Sequence, residues 1–269
     1  MIKTLKKIVL IISMILFSGL LLLLLYSQTA HFKNWLKNLL LEQVNDRIKG
    51  ELIITELTGN LFTSVVLRDI DITIQGDSVL SLSELKLEYN PLKYFSGEIF
   101  IENLRLDGLW INLMKEPDQF WTTNDLLKDT AQTARDTTTS DPSDFPMIRI
   151  INAEFLNNRI RLNSKSDHVP DRVDLGTLQI AAFYHPDSFQ LALDKMKLHM
   201  SRPEFAINSM QFLLSGNTAG FRLQDFYVQT ALNKITAAGG LKIDPMESGN
   251  LQLDIPSLYL SEFEMFLPD

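Results

Sequence analysis

The residue types that ordinarily do chemistry are thin and scattered in this chain. The four histidines, His31, His168, His185 and His199, form no paired metal motif, and the chain has no cysteine. Disulfides and thiolate ligands are therefore excluded, although that alone identifies no compartment. Asp167, His168 and Asp171 are the nearest approach to a cluster, and a solvated turn accounts for them. No Gly-rich phosphate loop and no nucleophile elbow is present. The carboxylates mostly alternate with apolar residues, as the outward face of a sheet requires. A formal net charge of -8, with no basic stripe, argues against nucleic acid. The expectation is a protein that is not an enzyme and uses no metal or cofactor.

The residues with regular spacing are apolar. Val65, Leu67, Ile70, Ile72 and Ile74 are followed by Leu80, Leu82, Leu85, Leu87 and Tyr89. Each set alternates, skips three, then alternates again. Alternation marks a strand with one buried face, and the skip is what a β-bulge accommodates. Gln75-Gly76-Asp77 then makes the pair a hairpin. The same spacing recurs at Ile99, Ile101, Leu104 and Leu106, and at Ile148, Ile150, Ala153 and Phe155. It returns at Val173, Leu175, Leu178, Ile180 and Ala182, then at Leu191, Leu193, Met196, Leu198 and Met200. Phe205, Ile207, Met210, Phe212 and Leu214 carry it, as do Phe221, Leu223, Phe226 and Val228, and finally Leu253, Ile255, Leu258 and Leu260. Leu52, Ile54 and Leu57 are a short early copy. Two copies match over a longer span: Ile99 to Leu113 parallels Ile148 to Leu162. This is a repeat, and it predicts a mainly β chain of long antiparallel hairpins.

Other elements must position that sheet. Ile8 to Leu25 is nearly continuous apolar sequence, with Ile8, Leu16, Phe17, Leu22 and Leu25 as anchor residues. As a helix it spans roughly 27 Å, close to the hydrocarbon thickness of a bilayer. A retained transmembrane anchor and a cleaved signal are the two readings; the Ser27–Ala30 region is a poor cleavage site, which favours the anchor. Lys3, Lys6 and Lys7 favour a cytoplasmic N-terminus. The expected organisation is an anchor over 1–30 and an amphipathic helix over 31–50. A first β-segment over 51–115 follows, then a polar helix-and-linker insertion over 116–146 and a second β-segment over 147–269. The helix over 31–50 either caps the first strands, or plugs one end of the sheet or lies on a membrane. The last strand copy has no polar cap after it, which suggests an array that continues in a longer protein.

Nine or so such strands present an apolar face of roughly 1,400 Å² in projection. Soluble proteins seldom leave more than a few hundred Å² of contiguous apolar surface bare. Folding into a sandwich or barrel, a partner, or a lipid must cover it. The pattern is equally compatible with a closed sandwich and with an open apolar trough bent along a line of bulges.

A resemblance narrows this. The order of an N-terminal membrane helix and an amphipathic helix, then Gly50-Glu51-Leu52-Ile53-Ile54, resembles the start of the TamB proteins, within the wider AsmA-like group of Gram-negative envelope proteins. Leu57-Thr58-Gly59-Asn60-Leu61-Phe62 and Val66-Leu67-Arg68-Asp69-Ile70-Asp71-Ile72 continue the likeness. Tyr89-Asn90-Pro91-Leu92, the run from Gly97 to Gly108, and Ile111-Asn112-Leu113 extend it. It covers about 1–165 well and the rest only as strand pattern, and the C-terminal domain that defines TamB is missing. The resemblance implies an inner-membrane anchor and a long, curled, taco-like periplasmic β-groove whose apolar lining carries phospholipid toward the outer membrane. It also implies an Omp85-type outer-membrane partner. The alternatives are an assembly factor that templates outer-membrane β-barrel proteins or autotransporters by strand addition, and a structural spacer. A conduit needs the apolar face continuous and open, an assembly factor needs a bare final edge, and a spacer needs the face packed.

Overall fold

The structure is a computed structural model that describes residues 2–60, 62–114, 146–163, 169–242 and 249–264. Two helices come first, α1 (Ile2–Ser27) and α2 (Ala30–Asn45). They are separated at Thr29, whose hydroxyl accepts the Phe32 N–H as an N-cap. Twelve strands follow: β1 (Glu51–Thr58), β2 (Ser64–Ile74), β3 (Asp77–Tyr89), β4 (Glu98–Asp107), β5 (Trp110–Met114) and β6 (Met147–Asn163). The second half holds β7 (Arg172–His185), β8 (Ser188–Ser201), β9 (Phe205–Asn217), β10 (Gly220–Thr230), β11 (Lys234–Lys242) and β12 (Asn250–Asp254).

All twelve belong to one sheet, in the order β1-β2-β3-β4-β6-β7-β8-β9-β10-β11-β12, with β5 continuing the β4 row between β3 and β6. Among the described residues no second sheet packs on it. Among the described residues no large side chain is fully buried. Ile72, Leu87, Ile101, Leu198 and Phe212, which a closed sandwich would seal, are all half-buried.

Short turns build the hairpins. Ile74 and Asp77 pair around Gln75 and Gly76, which have φ of 54° and 91°. Positive φ at both positions is the two-residue turn whose twist matches the flanking strands. One junction departs from the expected antiparallel order: β4 and β6 are parallel. These strands carry the two longer repeat copies, which lie side by side in register, Ile99 against Ile148, Ile101 against Ile150 and Leu106 against Phe155. Asn152 donates to the equivalent Asn103 at 3.0 Å, 49 residues away. Gly108, with φ of 72°, splits the first copy into β4 and β5. The equivalent Asn157 reaches φ of 54° without ending β6, because asparagine tolerates the left-handed region.

The skips in the apolar pattern are real irregularities. Asp69 and Asp225, each in a skip, take φ of 49° and 52°. They do not all fall on one line, however, as a single fold axis would need. Across β1, β2 and β3 the skips oppose one another, so Leu57 meets Leu67, and Ile70 meets both Ile54 and Leu82, with no shift at the skip. From β6 onward most skips face an unbroken partner, and the pairing absorbs each as a register shift, at Ile150/Ala153, Leu193/Met196 and Leu223/Phe226. The skips alternate in level because neighbouring strands run in opposite directions.

Two further boundaries differ from expectation. The amphipathic helix stops at Asn45, not near Gly50. Gly50 instead lies where a Cβ would stand 2.3 Å from the Thr73 carbonyl oxygen, so it permits close approach to β2. The last repeat copy is cut short, with only Asn250–Asp254 paired to β11. Pro256, lacking an N–H, stops the ladder, and Leu260–Glu262 forms a 3-10 turn. The helix and linker expected over 116–146 lie outside the described residues up to 145, as do Asp167 and His168.

A continuous apolar face as the candidate functional site

The predicted lining residues can be placed pair by pair, because residues directly opposite in a ladder share a face. Val65 meets Leu87 and Leu67 meets Leu85; on the far side of the skip, Ile72 meets Leu80. Leu104 meets Leu87, and Tyr89 meets Ile101. Ile150 leads to Ala182, Ile180 to Ala153 and Phe155 to Leu178. Leu175 meets Leu198, Leu178 meets Met196 and Leu191 meets Ala182. Next come Leu193 against Phe212, Met196 against Met210, Leu198 against Ile207 and Met200 against Phe205. Leu214 meets Leu223. Phe226 meets Ala237, and Phe221 meets Leu241. The pairs together carry apolar residues across the sheet from β1 to β12, a width of about 50 Å at the usual strand spacing, but the row of Leu175, Leu198 and Ile207 is broken where Leu175 meets Asn158 and Ile207 meets Thr230. Ile74, at the β2–β3 turn, stands opposite Asp77 and ends its row.

One part of this face is covered. Ile48, Leu52 and Ile54 form a buried cluster against which Leu41 and Val44 from the α2 side pack, together with Leu67, Ile70 and Ile72 of β2. The Asn45 side chain accepts the Leu52 N–H at 2.6 Å and donates to the Leu52 carbonyl at 3.4 Å. Lys37 Nζ reaches the Thr55 carbonyl at 3.2 Å. Thus α2 runs antiparallel along β1 as a cap over the first strands, and three predicted lining residues lie beneath it. Beyond its footprint the rows are mostly half-buried, with Ile99 37 % and Phe221 42 % exposed.

Sequence reasoning missed an aromatic arrangement inside the face. Gly216 stands between Phe189 and Phe221 in the ladder. A Cβ there would fall 2.5 Å from one ring and 2.9 Å from the other. The glycine lets two phenylalanines close over it, with ring centroids 6.0 Å apart. Gly216 follows the alternation of the larger residues Phe212 and Leu214, and that phase is the signal by which it could have been found.

The opposite face is more polar, although Phe100, Phe183 and Leu213 lie on it, and it carries cross-strand ion pairs. Arg68 bridges Glu56 at 3.0 Å and Glu84 at 3.2 Å, and Arg159 and Arg172 share Asp174 at 2.5 and 2.8 Å. Exposed pairs of this kind contribute at most about 1 kcal/mol each. Asp171 of the sequence cluster pairs with Arg202 at 3.4 Å. Among the described residues no three His, Asp or Glu side chains gather as a metal site. Tyr89, on the apolar side, has its phenol pushed up by burial.

The stretch Leu10–Ser27 of α1 is long and apolar enough to cross a membrane. Phe17, Leu22 and Leu25 are 68 %, 63 % and 59 % exposed. Ile8 and Leu16 lie on the same helix, with side chains outside the described residues. No protein-family model matches the chain, and no curated protein matches it.

Proposed function

We propose that this protein is held in the inner membrane of a Gram-negative envelope by α1, with its sheet in the periplasm. There the apolar face, curled into a groove, receives the acyl chains of phospholipid on their way to the outer membrane. One observation carries the reading: apolar residues face one another in most ladders from β1 to β12, and among the described residues the helix that covers them, α2, lies over the first strands. A face of that size needs an occupant. Acyl chains suit it because they are apolar, need no hydrogen-bonding partner and slide along rows of aliphatic side chains without a fixed register. The resemblance of 1–165 to TamB proteins supports the same reading and brings with it the Omp85-type partner. A second reading, strand addition to a client β-barrel protein, draws on β12, all of whose residues are exposed.

Photo-crosslinking in cells tests the proposal. A crosslinking residue at Leu87 or Phe212 is expected to capture phospholipid, and one at polar-face Lys86 or Gln211 is not. Equal labelling from both faces, or none from either, rejects the lipid reading. Capture of an outer-membrane protein at Gln252 alone would favour strand addition.

A further inference from the structure

We propose that the turn Pro91–Ser96 is a second membrane contact, which sets Leu92, Tyr94 and Phe95 into the interfacial zone of the bilayer that α1 crosses. The inference rests on α1 being a membrane anchor. Leu92, Tyr94 and Phe95 are 73 %, 70 % and 87 % exposed. These are large apolar side chains standing in water on a fixed turn. The Asn90 side chain accepts the Leu92 N–H at 3.1 Å, Pro91 opens the turn, and Gly97, with φ of 76°, closes it. A rigid turn with both ends capped holds its tip outward instead of folding it back on the sheet.

Position supplies the partner. The Gln28 side chain, one residue beyond the end of α1, donates to the Asn60 carbonyl at 2.6 Å. Asn60 lies in the β1–β2 connection, and there the Tyr89 N–H donates to the Thr63 carbonyl at 2.8 Å. The anchor exit, the β1–β2 connection and the β3–β4 turn therefore share one end of the sheet. The anchor exit and the turn are about 10 Å apart at two strand spacings. The contrast with other turns is sharp. At the opposite end of β2 and β3 the turn is Gln75-Gly76. At the same end, but about 24 Å further across the sheet, the β9–β10 turn is Thr218-Ala219. The aromatic tip occurs at the turn beside the anchor. Tyrosine and other amphipathic rings favour the headgroup level of a bilayer. The contact would hold the starting end of the apolar rows, where Val65, Leu87 and Ile99 lie, against the leaflet and make it the end at which lipid enters.

The chain's lack of cysteine allows a direct test. Phe95→Cys, Thr218→Cys and Phe17→Cys, each in the full chain with a nitroxide attached, are reconstituted in phosphatidylethanolamine–phosphatidylglycerol vesicles. Collision of each label with oxygen and with a water-soluble nickel chelate is then read by spin resonance. The label at 95 is expected to favour oxygen, as the anchor label at 17 does, and the label at 218 to show the reverse ratio. If 95 behaves as 218 does while 17 stays lipid-like, the second contact is wrong and the anchor stands. A lipid-like signal at both 95 and 218 would mean a sheet lying flat on the bilayer, and would also overturn the proposal. A water-like signal at 17 would sink the anchor and this inference together.

Discussion

The two ends of the strand order carry the same apolar pattern and meet different fates. At the start, α2 lies over β1 and β2, and Leu52, Ile54 and Leu57 are 9 %, 6 % and 7 % exposed. At the far end, β12 has no buried residue, and Leu241, Leu251 and Leu253 are 59 %, 70 % and 55 % exposed. Alternation in sequence thus sets which side chains share a face and leaves open whether the chain covers that face. Where cover exists, it comes from a helix whose own apolar stripe was visible around Leu36, Leu39 and Leu40.

The comparison can be broken by charge. Ile54→Asp buries an unpaired carboxylate under α2 and is expected to destabilise the first strands by on the order of 3–5 kcal/mol, read as loss of amide protection in β1 and β2. The far end is held differently. Glu262 accepts from Thr230 Oγ1, from Asn233 Nδ2 and from the N–H groups of Ala231 and Leu232, so one carboxylate ties the tail to the β10–β11 loop. Burial alone would push the Glu262 carboxyl up, but these donors hold it below the usual carboxylate range. A depressed folded pKa stabilises above the unfolded value of about 4.3 and is lost as pH falls through the folded one. Acidification below the usual carboxylate range is therefore expected to release the Ala231 and Leu232 amides to exchange, whereas Glu262→Gln should loosen them at neutral pH and remove the acid step. The smallest effect belongs to Leu253→Asp, within about 0.5 kcal/mol, because the carboxylate stays hydrated. A Leu253→Asp change as damaging as Ile54→Asp would show that the far end is covered too.

Much of this fold was legible in single residues. The alternation at 65–74 and 80–89, the Gln75-Gly76 turn and the matched copies at 99 and 148 all correspond to observed strands and pairings. What stayed hidden depends on partners distant in sequence. Nothing local to 99–106 says that its neighbour is β6 and parallel, because pairing is set by where the intervening chain returns. The Glu262 clamp joins groups about thirty residues apart that share no periodic signal. The single fold line failed because each skip was read within its own strand, while its level depends on strand direction. The apolar site was readable because a face is a property of alternation; its uncovered extent was not, because cover is tertiary.

The parallel junction has a kinetic consequence. Most other neighbours in the sheet are joined by short turns, so strands can be added one at a time, each closing a loop of a few residues. The β4–β6 step must instead close the chain over 115–146. Loop-closure entropy grows by about 0.6 kcal/mol per doubling of length, so this step carries roughly 2–3 kcal/mol more than a tight turn. Folding should then proceed as two separately zipped halves that meet at this seam, with the barrier lying in the meeting. Pulse-labelled hydrogen exchange during refolding checks it: the Ile99–Leu106 and Ile148–Phe155 amides shared between the halves should gain protection after those of the β2–β3 and β8–β9 hairpins.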